Sequence, residues 1–176
     1  MPSSHLSLLA SRTLSCLLLS AASLSFAQSP NLQIESAING LLGESITFEL
    51  HTENTATQSI GFDPIVELIL PALPDDGEGN AFPDSPTQAL QFQKALYLGN
   101  PVYAQFIGHF DSESLSIDNP ITGQTVEGPA NAALYVLHYP LSSIAPEQPP
   151  AVLEIEAKIH ALAPIALHTI SVRPIF

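Results

Sequence analysis

The fold is decided by residues 43–74, GESITFELHTENTATQSIGFDPIVELILPALP. From Ser45 to His51 apolar and polar side chains alternate, and a period of two is typical of a β-strand with one buried face. The polar run from Thr52 to Ser59 predicts a loop. Ile65 to Leu70 is a nearly continuous apolar run that ends at Pro71, which predicts a short strand buried on both faces. Because two such strands need a second sheet to cover them, this stretch predicts a β-sandwich.

Further strands are expected on both sides of this stretch. Four follow from alternation or from continuous apolar character: Asn31–Ile38, Ala132–Tyr139, Ala151–His160 and Leu167–Val172. Ala132–Tyr139 is the most apolar and is expected at the centre of a sheet, whereas Ala151–His160 alternates most cleanly and should expose Glu154. The residues expected in the core are Phe48, Leu134, Val136, Leu153 and Ile155. With about eight strands and at most one short helix, the sequence predicts an all-β fold, an Ig-like antiparallel β-sandwich.

The middle of the chain allows two interpretations. Ser85–Gln88 has the cap, proline and glutamine of a helix start, so a helix through Leu90–Lys94 is one alternative. The favoured interpretation is a hairpin, because the apolar stretches Tyr97-Leu98 and Val102–Ile107 flank Gly99-Asn100, which is a two-residue turn signal. Asp111–Pro129 is polar and rich in turn residues, and predicts turns.

Residues 1–27 predict a signal peptide. Arg12 is the only charged residue there, the apolar run Leu14–Leu19 follows it, and Ser25-Phe26-Ala27 fits the small-x-small cleavage rule. The apolar run is too short to span a bilayer, which takes roughly 20 residues. Cleavage is therefore expected after Ala27, leaving residues 28–176 as one domain.

Cys16 is the only cysteine of the chain. A lipid attachment site at Cys16 is an alternative to signal cleavage, but Thr13 stands where leucine is usual and the apolar run follows the cysteine. Cleavage after Ala27 would remove Cys16. The mature chain would then have no disulfide and would depend on its apolar core for stability.

The composition is strongly acidic. The chain has 17 acidic and 4 basic residues, giving a formal net charge of −13. Such a surface repels phosphate backbones and anionic membranes, so nucleic acid is excluded as a partner and stable membrane insertion is not expected. A secreted, cell-surface or periplasmic location is expected, with an acidic surface that serves solubility or binds Ca²⁺.

No motif of a known catalytic site is present. The patterns G-x-S-x-G, H-E-x-x-H and the Walker loop are all missing from the sequence, and no catalytic, cofactor-binding or metal-binding residues are predicted. Ser142-Ser143, His138 and Asp111 supply the residue types of a Ser-His-Asp triad, but such residues occur in most sequences. His51 and His160 are expected at the surface, and His138 is expected to be a hydrogen-bonded histidine of the core or of a sheet edge.

Two features could support ligand binding. Asp75–Asn80, DDGEGN, offers carboxylates between glycines, which is part of what Ca²⁺ requires, although EF-hand spacing is absent. A solvated loop is the favoured interpretation and a Ca²⁺ site the alternative. A sugar-stacking face is the alternative for the four tyrosines, but their strand spacing favours core or cross-strand positions for Tyr97, Tyr103, Tyr135 and Tyr139.

Several stretches carry a family resemblance that covers about residues 31–173. The opening GESITFELHTEN, followed by a strand that ends in Leu-Pro, and the later LSSIAPEQPPAVLEIEAKI resemble a bacterial extracellular repeat domain of unknown function. A related family is the bacterial cell-adhesion-related domain. The leading domain of very long bacterial surface proteins is similar in its combination of GFDPIVELILP, ALYLGNPV and YPLSSIAPEQPPAVLEIEA.

This resemblance implies an Ig-like module with a structural or adhesive role and an unknown protein or cell-surface partner. Because the family usually occurs in tandem and one copy is present here, the chain is expected to be the N-terminal part of a longer protein. Two alternatives remain: a Ca²⁺- or glycan-binding module, and a small outer-membrane β-barrel that ends at Phe176. The barrel is disfavoured by the 16 prolines and by irregular apolar runs.

Overall fold

The computed structural model describes residues 30–34, 37–71, 89–110, 114–163 and 168–176. These ranges contain β-strands and no helix, and hence no helix long and apolar enough to cross a membrane. The strands are β1 (Pro30–Ile34), β2 (Ser45–Asn54), β3 (Gly61–Phe62), β4 (Ile65–Pro71), β5 (Leu90–Tyr97), β6 (Asn100–Pro101), β7 (Ala104–Phe110), β8 (Ser116–Asn119), β9 (Gln124–Glu127), β10 (Ala132–His138), β11 (Ser143–Ile144), β12 (Ala151–Ile159) and β13 (Ser171–Ile175). The expected signal peptide, residues 1–27, lies outside the described residues.

Two antiparallel sheets face each other. The front sheet has the strand order β1-β2-β12-β5-β6, and the back sheet has the order β13-β4-β10-β7. Apolar side chains from both sheets form the core between them: Phe48, Leu50, Leu153 and Ile155 from the front, and Val66, Leu68, Leu70 and Leu137 from the back. The predicted all-β sandwich is confirmed, and the five residues predicted for the core are at most 1% exposed.

The order of the strands was not predicted. The chain passes repeatedly between the sheets, so β4 pairs with β10 in the back sheet while β2 pairs with β12 in the front sheet. In chain order, the paired strands β4 and β10 both lie between β2 and β12, which pair with each other. These strand orders differ from the ABED and CFG sheets of a constant-type immunoglobulin domain. Eight strands have five or more residues, and the other five, β3, β6, β8, β9 and β11, have two to four.

The two strands that decide the fold form as predicted, with one extension. In β2, Phe48 and Leu50 are buried while Thr47 and Glu49 are exposed. The strand continues beyond His51, so the prediction of a loop from Thr52 is wrong for residues 52–54. These residues pair with β1, and Thr52 also pairs with β12, so neighbouring strands satisfy the backbone of a polar segment.

The segment predicted as either helix or hairpin is a hairpin, but its second arm is the two-residue strand β6. The expected second arm, Val102–Ile107, is wrong, because residues 104–107 belong to β7, which pairs with β10 in the back sheet. Leu90–Lys94 belongs to β5, so the helix alternative is wrong there. Ladder hydrogen bonds to β12 hold this segment extended. The turn residues are Leu98 and Gly99, with φ of 49° and 78°, not Gly99 and Asn100. Two positive φ values define a type I′ turn, whose twist matches that of the flanking strands.

The polar segment before β10 contains a second hairpin that was not predicted as strands. β8 and β9 pair antiparallel, with Ile117 opposite Val126. Val126 packs with Ile69, Phe110 and Leu134 in a small second core. The β8–β9 hairpin therefore covers the outer face of the back sheet, which explains why β4 is buried on both faces.

The last strand lies nearer the C-terminus than predicted. Residues 168–170 are not in a strand, and β13 begins at Ser171. It pairs with β4 and places Arg173 opposite Glu67. Residues 164–167, which include the predicted start at Leu167, lie outside the described residues.

Candidate functional site

A carboxylate is buried in the middle of the back sheet. The side chain of Glu67 in β4 is 1% exposed. Because neighbours along a strand point to opposite faces, Val66 and Leu68 point into the main core and Glu67 points to the outer face. An unpaired carboxylate in such a position would cost several kcal/mol, so this residue requires partners.

Two partners satisfy the carboxylate. The Asn119 amide Nδ2 donates to Oε1 over 2.7 Å. Arg173 Nε donates to Oε2 over 2.6 Å, and Arg173 Nη2 forms an ion pair with the same oxygen at 2.6 Å. Asn119 is itself 1% exposed, and its Oδ1 accepts the Ile121 amide hydrogen over 3.0 Å. Three elements, β4, β8 and β13, therefore meet on one carboxylate.

A cleft of about 420 Å³ lies beside this pair, between β9 of the hairpin and the β4–β13 edge of the back sheet. Apolar residues form part of its border: Ile69, Val126 and Val172, of which Val172 packs its side chain against the main core. Polar and charged side chains complete the lining: Glu67, Thr125, Glu127, Ser171 and Arg173. We call this feature the β9–β13 cleft.

The polar groups of the β9–β13 cleft include both donors and acceptors. The Arg173 side chain is 46% exposed, and its Nη1 takes no part in the pair with Glu67. Glu127 is exposed and adds a carboxylate. The Thr125 hydroxyl donates to Asp118 Oδ1 over 2.7 Å, so its oxygen keeps lone pairs to accept another hydrogen bond. The cleft can therefore orient a polar ligand.

The described residues do not test the residue sets named from the sequence. Asp75–Asn80 and Asp111 lie outside the described residues, so the Ca²⁺ alternative and the Ser-His-Asp arrangement stay untested there. Ser143 lies in β11, paired with Phe62. Within the described ranges, no group of three or more His, Cys, Asp or Glu side chains could hold a metal ion.

The histidines divide between surface and interior. His51 accepts or donates a 2.8 Å hydrogen bond with Glu49 at the surface, as expected. The prediction of a hydrogen-bonded His138 is wrong for its Nε2, which is buried without a partner among the described residues while the ring packs 5.3 Å from Tyr103. His109 has neither ring nitrogen hydrogen-bonded within the same residues. Burial lowers the pKa of His109, and the nearby Ala132 backbone offsets this only in part.

Three of the four tyrosines pack in the interior or between strands, as predicted. The Tyr139 hydroxyl lies 2.7 Å from Thr52 Oγ1, and its burial raises the Tyr139 pKa. Tyr97 contacts Tyr139 edge to face, and Tyr135 stacks on Phe92. Tyr103 differs, because it is 63% exposed. The tyrosines therefore do not form one sugar-stacking face.

The sequence interpretation missed Glu67, because it treated the run from Ile65 to Leu70 as apolar. A single acidic residue inside such a run was the available signal, and Arg173 is one of only 4 basic residues. Comparison of the sequence with models of known protein families and with curated proteins found no match.

Proposed function

We propose that this chain is a secreted, non-enzymatic β-sandwich module of a bacterial surface or extracellular protein, with a structural or adhesive role. The observation that carries this proposal is the bonding of the buried carboxylate. Both oxygens of Glu67 are engaged by side chains of the fold, Asn119 and Arg173. A general acid or base must instead reach a proton on a substrate. The carboxylate therefore serves to join strands.

The location of the joined elements supports a structural role. Arg173 belongs to β13, an edge strand of the back sheet, and Asn119 belongs to the hairpin that covers this sheet. Edge strands and surface hairpins are the parts of a sandwich that open most easily. Bonding both to the central strand β4 makes the module rigid, which is the property that a spacer or adhesion domain needs.

The experiment compares adhesion with catalysis. The secreted protein is immobilised on beads, and retention of bacterial and eukaryotic cells is counted by flow cytometry against beads carrying the heat-unfolded protein. We expect retention by the folded protein only. A Glu67→Gln variant, kept well below its melting temperature, is prepared beside the wild type as the control for catalysis.

A screen with general hydrolase substrates is run on the same two proteins. Turnover by the wild type that disappears in folded Glu67→Gln would show an enzyme and would contradict the proposal. Absence of cell retention by the folded wild type would contradict the adhesive role and leave the structural one.

A ligand-binding module is the second candidate. The β9–β13 cleft favours it, because convergent polar groups beside apolar side chains are typical of small-molecule sites.

A further inference from the structure

We propose that the β9–β13 cleft binds a neutral saccharide unit at the surface of a partner cell or polymer. This inference rests on the adhesive role proposed above and gives that role a ligand class. It depends on the charge and the hydrogen-bonding groups of the cleft, all of which belong to described residues.

The charges of the cleft disfavour an ionic ligand of either sign. An anion would approach Glu127 in a chain of net charge −13, with the Arg173 charge already compensated by Glu67. A cation would have to lie against the Arg173 guanidinium, which lines the same cleft. Since opposite charges stand side by side in so small a volume, a neutral ligand with strong hydrogen-bonding groups fits best.

Sugar hydroxyls match the remaining features. Each hydroxyl can donate to one group and accept from another, and the cleft offers a donor in Arg173, an acceptor in Glu127 and hydroxyls in Thr125 and Ser171. Ile69 and Val126 border the cleft as small apolar edges, 8% and 4% exposed, whereas Val172 pairs with Leu68 and packs against the main core. The volume of about 420 Å³ lies in the lower part of the range for small-molecule sites, which suits one or two sugar rings.

The walls of the cleft are held in place before any ligand arrives. The Arg173 side chain is held by its hydrogen bond and ion pair with Glu67, and the hairpin is held by the buried hydrogen bond from Asn119 to the same carboxylate. The bond from Thr125 to Asp118 ties the two strands of the hairpin to each other. A preorganised site loses less entropy on binding.

The affinity for a single saccharide should be low. None of the side chains that line the cleft is aromatic, so the ring cannot stack on a π face as it does in many sugar sites. We expect millimolar dissociation constants for single units. Adhesion would then depend on many copies bound at once, since linked weak sites gain avidity of about 10²–10⁴.

The test is an NMR titration of the ¹⁵N-labelled secreted protein. The neutral probes are glucose, galactose and N-acetylglucosamine; glucosamine serves as the cationic probe and N-acetylneuraminic acid as the anionic one. We expect at least one neutral sugar to shift the amide signals of Thr125, Val126 and Ser171 in a saturable way, and to bind at least threefold more tightly than either charged probe.

Two variants test the site and one serves as control. Glu127→Ala removes an acceptor and Ser171→Phe fills the cleft, and each should weaken binding of the neutral sugar at least threefold while the spectrum stays folded. Glu154→Ala changes an exposed carboxylate on the front sheet and should leave binding unchanged. If Ser171→Phe fails to fold, the affinity of Glu127→Ala for the neutral sugar decides whether the cleft is the binding site.

Three outcomes would overturn the proposal: no saturable shift with any neutral sugar, tighter binding of a charged probe, or equal affinity in Glu127→Ala and wild type. If the wild-type protein retained cells but bound none of the neutral sugars, the proposal that the cleft binds a saccharide would be refuted and the adhesive role would stand. Sugar binding without cell retention would keep the cleft assignment and refute the adhesive role.

Discussion

At the scale of single residues, the buried Glu67 carboxylate depends on its partners for stability. Its only cationic partner among the described residues is Arg173, which reaches it from the next strand. Arg173→Met would leave a buried charge uncompensated, and we expect a loss of about 3–5 kcal/mol in the free energy of unfolding, measured by urea denaturation.

The double variant Glu67→Met/Arg173→Met should be more stable than Arg173→Met alone, because it removes the buried charge as well. It should remain less stable than the wild type by about 1–3 kcal/mol, since the buried Asn119 amide loses its acceptor. Lys94→Met is the control, because it breaks a solvent-exposed pair with Glu156 and should cost much less stability than Arg173→Met. Equal costs for the Arg173 and Lys94 variants would contradict this interpretation of the buried pair.

His109 predicts a pH dependence. Burial holds its pKa in the folded protein below the ordinary value of 6.5. As the pH falls below about 6.5 the unfolded chain takes up a proton more readily than the folded one, so this residue lowers stability in acid. We expect His109→Phe to lose less stability than the wild type between pH 7 and pH 5, measured by urea denaturation at each pH. If His109→Phe lost as much stability as the wild type between pH 7 and pH 5, His109 would not be a source of the acid destabilisation.

At the scale of elements, the β5–β6 hairpin contains a residue that does not suit its turn. Leu98 has φ of 49° and is 82% exposed, so it has a strained backbone and little packing to compensate. Asparagine before glycine is the preferred pair in a type I′ turn. Leu98→Asn should therefore raise stability by about 0.5–1 kcal/mol, and the melting temperature by about 1–4 °C.

Leu162→Asn is the matched control for this substitution. Leu162 is also a highly exposed turn residue, at 72%, but its φ is not positive. The same replacement there should change the melting temperature little. A similar rise in both variants would mean that removal of exposed apolar surface, rather than turn geometry, explains the effect.

Substitutions in strand β12 test the predicted alternation of buried and exposed side chains. Leu153 is fully buried against the back sheet, whereas Glu154 is exposed. Leu153→Ala should cost about 2–5 kcal/mol, and Glu154→Ala less than about 0.5 kcal/mol, both measured by chemical denaturation. Equal costs at the two positions would show that the strand presents a different face to the core.

At the scale of the whole molecule, the proposal depends on export. Residues 1–27 have the charge, apolar run and cleavage pattern of a signal peptide. N-terminal sequencing of the secreted protein should therefore begin at Gln28. If the protein were recovered only from the cytoplasm, with Met1 still at its N-terminus, both the cleavage site and the extracellular role would be contradicted.

The sequence by itself determined the strands that carry a regular pattern. Alternation identified β2 and β12, and continuous apolar character identified β4 and β10, because burial on one or both faces follows directly from which side chains are apolar. The hairpin turn was placed within one residue, since the sequence signal Gly99-Asn100 overlaps the observed Leu98-Gly99.

Only the tertiary structure decided which strands pair and where the candidate site lies. β4 and β10 are separated by two other long strands in the chain, and no local pattern specifies partners at that distance. The sequence did not predict the β8–β9 hairpin, because its strands are short and polar. The apolar contacts of Val126 are with a sheet formed by residues distant in the chain. Glu67 and Arg173 are 106 residues apart. A carboxylate in an apolar strand is stable only with a cation and a donor nearby, and the folded chain alone brings Arg173 and Asn119 to it.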